Sequence, residues 1–187
     1  MTPVNKVPIP RRSILYGAGT VGQLIFTLVF PFFSVPIVNW FVHHNLYRKT
    51  IAALAAPFFI SLLYFSLDRW KLIKKDRKLI LILAASVILY ITVYETVPDL
   101  GEKLHVLNFS VFAILVYKTL SPLMKLHWAL LSAWIAASAL GALDETFQIF
   151  IPGRSGCIHD VLIAVRSGIL GGIIAWIFDA YSRKGRG

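Results

Sequence analysis

The stretch Asp144–Gly172, DETFQIFIPGRSGCIHDVLIAVRSGILGG, sets acids, an amide, two arginines and a histidine at and inside the ends of two apolar segments. Ionisable side chains are costly near hydrocarbon. Where a membrane protein keeps them there, they pair, line a cavity or do chemistry. The flanking segments, 128–150 and 158–178, are long enough for helices that cross a bilayer, which takes about 20 apolar residues. Outward from this stretch lie four more such segments, 14–33, 51–67, 79–97 and 104–120. The sequence therefore predicts an all-α, polytopic membrane bundle of about six transmembrane helices.

Composition agrees. Of the 187 residues, 57% are hydrophobic and only 15% are charged, against about 25% charged in soluble domains. The formal charge of +10 comes from clumps of Lys and Arg between apolar runs. That is the pattern of cytoplasmic loops in membrane proteins, and no nucleic-acid partner is expected. With Cys157 as the one cysteine, neither an intrachain disulfide nor a thiolate metal cluster can be built. Lys6, Arg11 and Arg12 precede an apolar run as in a signal peptide. The run continues to Val42 without a small-residue cleavage site, so it reads as a retained first span. Pro31 and Pro36 are expected to kink or end it, leaving 35–47 along the interface.

Orientation follows from the basic residues. With six spans and a cytoplasmic N-terminus, fourteen of the 19 Lys and Arg fall inside and four outside (Arg48, Lys49, Lys103 and Arg154), while Arg166 sits within a span. This bias places both termini in the cytoplasm of a plasma-membrane protein, and the loops 98–103 and 151–157 outside. Glu145 then lies about 8–10 Å, and Arg166 about 12 Å, below the outer ends of adjacent antiparallel spans. Arg166 is therefore expected to pair with Asp144 or Glu145, with Arg166–Asp144 as a structural ion pair, because a lone charge at that depth is very costly.

Several motifs carry bland readings. Gly17, Gly19 and Gly22 match G-x-G-x-x-G, but that fingerprint needs a βαβ unit and an acid about 20 residues on, and the first acid is Asp68. Close helix packing is the simpler account. Gly168 and Gly172, with Ala133, Ala137 and Gly141 on the preceding span, form small-residue faces that let backbones approach. Cys157 and His159 lack a second pair at ligand spacing, so no metal and no cofactor are expected. The run 153–157 narrowly misses G-x-S-x-G and lies on an inter-span loop, the wrong context for a nucleophile elbow.

The polar residues group differently. Glu102 and His105 share a helix face, which reads either as a cap beside an interfacial histidine or as a histidine oriented for proton transfer. Glu145 and Gln148 share another face, Pro152-Gly153 turns the chain, Arg154 follows, and Asp160 opens the last span. These groups form either a hydrogen-bonded plug or a pocket whose arginine fork suits a phosphate or carboxylate.

Taken in order, Glu102-Lys103-Leu104-His105, Glu145 with Gln148, Pro152-Gly153-Arg154, Asp160 and the Gly168–Gly172 region make the chain resemble the VanZ-like membrane proteins, named for a teicoplanin-resistance factor. The resemblance covers about 79–181. It implies a VanZ-like four-helix membrane domain at 79–181, a two-span extension at 1–78 with a basic cytoplasmic loop, and a basic tail at 182–187. Ala164 stands where the family has a polar residue one turn after the aspartate, and Arg166 is the candidate substitute. The resemblance also implies an outward polar site of Lys103, His105, Glu145, Gln148, Arg154 and Asp160, and it makes antibiotic resistance a property of the named member.

Three functions compete. The first is binding of an amphiphile or lipid-linked envelope component at the outer leaflet, with glycolipopeptide antibiotic tolerance as a consequence. The second is an enzyme of envelope lipid or glycan metabolism, with Glu145, His105 and Asp160 as the catalytic candidates. The third is a transport or assembly component whose polar cluster lines a path or stabilises the bundle; transport requires polar residues continuing through the bilayer.

Overall fold

The apolar runs fold as helices because no backbone polar group can find water in hydrocarbon, and a helix satisfies all of them internally. The computed structural model describes residues 10–43, 80–81, 84–85, 88, 91–92, 100–152 and 154–184. Four helices are defined: α1 (Arg11–His43), α2 (Leu100–Leu120), α3 (Leu126–Gln148) and α4 (Ile158–Lys184). No strand occurs among the described residues. The expected spans 51–67 and 79–97 lie outside the described residues, apart from isolated helical positions between 80 and 92.

Among the described residues, three stretches are long and apolar enough to cross a membrane: Lys103–Leu120, Leu126–Gln148 and Ile158–Ala180. They match the last three expected segments. α1 departs from expectation. It runs past both Pro31 and Pro36 to His43, so residues 35–43 continue the helix; 44–47 lie outside the described residues. Proline removes one backbone bond and crowds the preceding turn, but neighbouring helices in a bundle can compensate. Large apolar side chains remain exposed, among them Ile25 and Phe26 on α1, Trp128 and Ile135 on α3, and Leu162 on α4. An apolar exterior of this kind suits a lipid surround.

Cross-helix contacts fix the directions. Asn108 of α2 bonds Thr27 of α1 (Nδ2 to Oγ1, 3.0 Å) and accepts from Gln23, while Thr20 meets Thr119 at 3.3 Å. α1 and α2 are therefore antiparallel. α3 runs antiparallel to both α2 and α4, and α2 and α4 run parallel. Lys118 bonds Asp179 at the far end of α2 and α4, where Ser121 Oγ also donates to Asp179 Oδ2 at 3.0 Å.

Small residues set the helix spacing. A Cβ on Gly141 would lie 2.3 Å from Ala164 Cβ, and one on Gly168 would lie 2.7 Å from Ala137 Cβ. The predicted ladder thus joins α3 to α4. Gly171, one residue from the expected pair, holds α4 against α2: a Cβ there would stand 2.3 Å from the Ser110 carbonyl oxygen. Ser110 Oγ donates to the Ser167 carbonyl at 3.1 Å in the same contact. Gly17 and Gly19 face Thr119 and Leu115 of α2, so the glycine-rich start of α1 serves packing. The core between the polar ends consists of Phe109, Phe112, Ala113, Val116, Ala133, Ala137 and their neighbours.

Gly171→Val forces a side chain into the α2 backbone and should lower stability by about 1–3 kcal/mol, as overpacking does. Gly22→Ala, which meets nothing within 4 Å, should leave the melting temperature in detergent unchanged or slightly raised. Equal melting temperatures for Gly171→Val and wild type would refute the α2–α4 contact.

Candidate functional site

The N-terminal end of α2, the C-terminal end of α3 and the start of α4 meet at one end of the bundle. On α3, Asp144, Glu145 and Gln148 point inward and are buried, with Asp144 only 1% exposed. Gln148 lies four and three residues beyond the two acids, the separations at which helix side chains meet. Its Nε2 donates to Asp144 Oδ2 at 3.2 Å and to Glu145 Oε1 at 3.1 Å. One amide nitrogen thus spends both of its hydrogens on two carboxylates.

Its oxygen is held from the loop. Successive turn bonds fold the chain back after α3, from Phe150 N to Phe147 O, Ile151 N to Gln148 O and Arg154 N to Ile151 O. Arg154 returns over the helix end, and its Nη1 donates to Gln148 Oε1 at 3.1 Å. Glu145 anchors the far side of the same loop. Its Oε2 accepts the Cys157 backbone N–H at 2.8 Å, where α4 begins. Gly156 makes this approach possible, because a Cβ there would lie 2.7 Å from the Glu145 carbonyl oxygen. The sequence reading gave Gly156 no role. Its place two residues before a helix start, in a short loop between two spans, is the available signal.

α2 contributes His105, stacked on Phe109 with ring centroids 5.7 Å apart. His105 Nδ1 lies 3.6 Å from Asp144 Oδ2, within ion-pair reach when the ring is protonated. Asp160, in the first turn of α4, favours that helix start. It acts electrostatically on both α3 acids, as does Arg154 with opposite sign. Asp144 Oδ1 and Asp160 Oδ1 are buried, and neither has a hydrogen-bond partner among the described residues.

Of the expected site residues, His105, Glu145, Gln148 and Arg154 come together, and Asp160 stands in electrostatic range. Lys103 is half-buried two positions from His105, which turns it away from the histidine's helix face. The Glu102 side chain lies outside the described part of the structure. The expected Arg166–Asp144 pair does not form. Arg166 lies on the exposed side of α4, and the basic side chain within ion-pair reach of Asp144 is His105. The reason is helical phase, since Arg166 sits about 200° around the helix from Gly168, which packs on α3. Asp144, expected only as a structural partner, is instead central to the cluster.

With this geometry in place, comparison with known proteins is informative. The model of the VanZ/LLP1 family matches residues 20–179. The chain belongs to the VanZ/LLP1 family. The match includes all of α2 and α3 and most of α1 and α4, and it reaches well before residue 79, where the sequence resemblance begins. No curated protein and no solved structure matches the chain. The family match therefore identifies a group of membrane proteins and leaves the chemistry of the site to its geometry.

Gln148→Leu removes the amide that serves both carboxylates and Arg154. It should cost about 1–3 kcal/mol for buried polar groups left unmade, read as reduced stability in detergent. Arg166→Ala should change stability by no more than about 0.5 kcal/mol, as at exposed positions. A larger loss from Arg166→Ala than from Gln148→Leu would restore the arginine as the partner of the acids.

Proposed function

We propose that the chain is a six-span, multi-pass protein of the plasma membrane with both termini cytoplasmic. In this reading the polar end of the bundle faces outward and binds the head group of an amphiphile or lipid-linked envelope component. Two observations support the topology. Basic residues concentrate between apolar segments on one side. In addition, antiparallel α1 and α2 require an even number of crossings between them, which the segments 51–67 and 79–97 supply.

One observation carries the binding reading. A purely structural plug would satisfy all of its buried polar atoms, because each one left unmade costs about 1–3 kcal/mol. Here Asp144 Oδ1 and Asp160 Oδ1 are buried with no hydrogen-bond partner among the described residues. These carboxylate oxygens are acceptors, and they call for a ligand that brings a donor or a cation. Half-buried Arg154 and His105 beside them offer donors to a phosphate or carboxylate head group. Transport is less well supported, because apolar core residues from Phe109 to Val116 separate this end from the Lys118–Asp179 pair. Tolerance of a glycolipopeptide antibiotic would follow if the bound component were its target or the drug itself.

The His105–Asp144 approach favours a second reading, a membrane enzyme in which a carboxylate orients a histidine for proton transfer. The two readings separate on turnover. In a binding module, His105→Gln weakens retention of the lipid. In an enzyme, it leaves the lipid bound and unconverted.

Two experiments test the proposal. A membrane-impermeant thiol reagent should label the exposed Cys157 in intact cells; labelling only after permeabilisation would place the site in the cytoplasm. Lipid extraction from the purified protein, followed by mass spectrometry, should show enrichment of one head-group class that is lost in Glu145→Gln. An enrichment identical in both proteins would reject the carboxylate as part of a binding site.

A further inference from the structure

We infer that His105, Asp144 and Glu145 form a binding site for a divalent first-row transition-metal ion of the Zn2+ type. Each offers one ligand atom, and these atoms all lie within 4.8 Å of one another. At the usual bond lengths of about 2.0–2.2 Å for imidazole nitrogen and carboxylate oxygen, two ligand atoms of a tetrahedral ion are about 3.4 Å apart. The widest separation in the cluster therefore needs to close by up to about 1.4 Å, a movement within the reach of side-chain torsions.

Three further observations point to a cation. First, Asp144 Oδ1 is buried and lacks a hydrogen-bond partner among the described residues, on a side chain that is 2% exposed. An ion supplies what that oxygen lacks. Second, the charges ask for one. Asp144, Glu145 and Asp160 converge on a region where Arg154 is the cation acting on both α3 acids. A divalent ion beside Arg154 balances three carboxylates and relieves repulsion that the low-dielectric surround would otherwise magnify. Third, the acids are already oriented as ligating carboxylates are. Gln148 donates to both, Arg154 fixes Gln148, and the Cys157 N–H holds the outer oxygen of Glu145. Hydrogen bonds of this kind around a metal site fix ligand geometry and raise affinity.

The donor set selects the ion. One imidazole with two carboxylates suits Zn2+ and its neighbours, whereas all-oxygen sites suit Ca2+ and Mg2+. Three protein ligands leave a position open on the side of half-exposed His105. There an anionic oxygen of the head group would complete the coordination, which explains how an acid-rich site can hold an anion. Only that last point rests on the binding reading above; the metal site itself does not.

The test uses full-length protein, stripped with chelator and placed in nanodiscs of zwitterionic lipid, titrated with Zn2+ alone. The wild type should bind about one Zn2+ per chain, and a hundredfold excess of Ca2+ should not displace it. His105→Gln, Glu145→Gln and Asp144→Asn should each weaken affinity roughly tenfold or more. Circular dichroism identifies any variant that fails to fold, and the folded ones decide the matter. Substitution with Co2+ should give a visible spectrum of nitrogen and oxygen ligation without a thiolate band. The double variant Cys157→Ser/His159→Ala should bind as the wild type does. Absence of stoichiometric Zn2+, or its loss with Cys157 and His159 while His105→Gln binds normally, would overturn the site. Stoichiometric Zn2+ without any enriched lipid would keep the metal site and reject the head-group reading.

Discussion

Two adjacent carboxylates, Asp144 and Glu145, are buried at the end of an apolar helix, and the rest of this end of the molecule is arranged around that fact. A carboxylate taken from water loses several kcal/mol of solvation, and only close partners recover it. Gln148 provides the first partner for both acids. Arg154 and the Cys157 N–H then tie the inter-helix loop to the same groups. The loop therefore has a defined path because the acids need it. The opposite end of the bundle follows a similar logic on a smaller scale, where Asp179 is met by Lys118 and Ser121.

Such a cluster holds its shape only if the helices beneath it cannot slide. Gly141, Gly168 and Gly171 bring α2, α3 and α4 together so closely that added methyl groups would collide with neighbouring atoms. In lipid there is little hydrophobic drive between helices, so this close packing and a few interhelical hydrogen bonds do most of the holding. The small-residue contacts fix the register at which His105 of α2 faces Asp144 of α3. Packing in the apolar middle thus sets chemistry at the polar end, a link from sequence through backbone spacing to site geometry.

Much of this was legible in the sequence. The three apolar helices, the ladder of small residues and the joining of Glu145, Gln148 and Arg154 follow from segment length, helical spacing and the Pro152–Gly153 turn. Other features could not be read from spacing. His105 and Asp144 lie on different helices, and only the folded bundle sets them 3.6 Å apart. Arg166 departs from expectation because depth in the membrane does not set helical phase; two residues before Gly168, it falls on the opposite side of α4 from the face that packs on α3. The continuation of α1 past two prolines runs against local propensity, which ends or kinks a helix there.

The account stands on a single cluster assembled across α2 and α3, and a double-mutant cycle between His105 and Asp144 tests that most directly. Stability in detergent would be measured for His105→Ala, Asp144→Asn and the pair. Residues in one network show coupling of about 0.5–3 kcal/mol, whereas independent sites add to within about 0.3–0.5 kcal/mol. We expect clear coupling, with the second substitution costing much less once the first is made. Simple additivity would mean that the histidine and the aspartate do not meet, and the site as described would not exist.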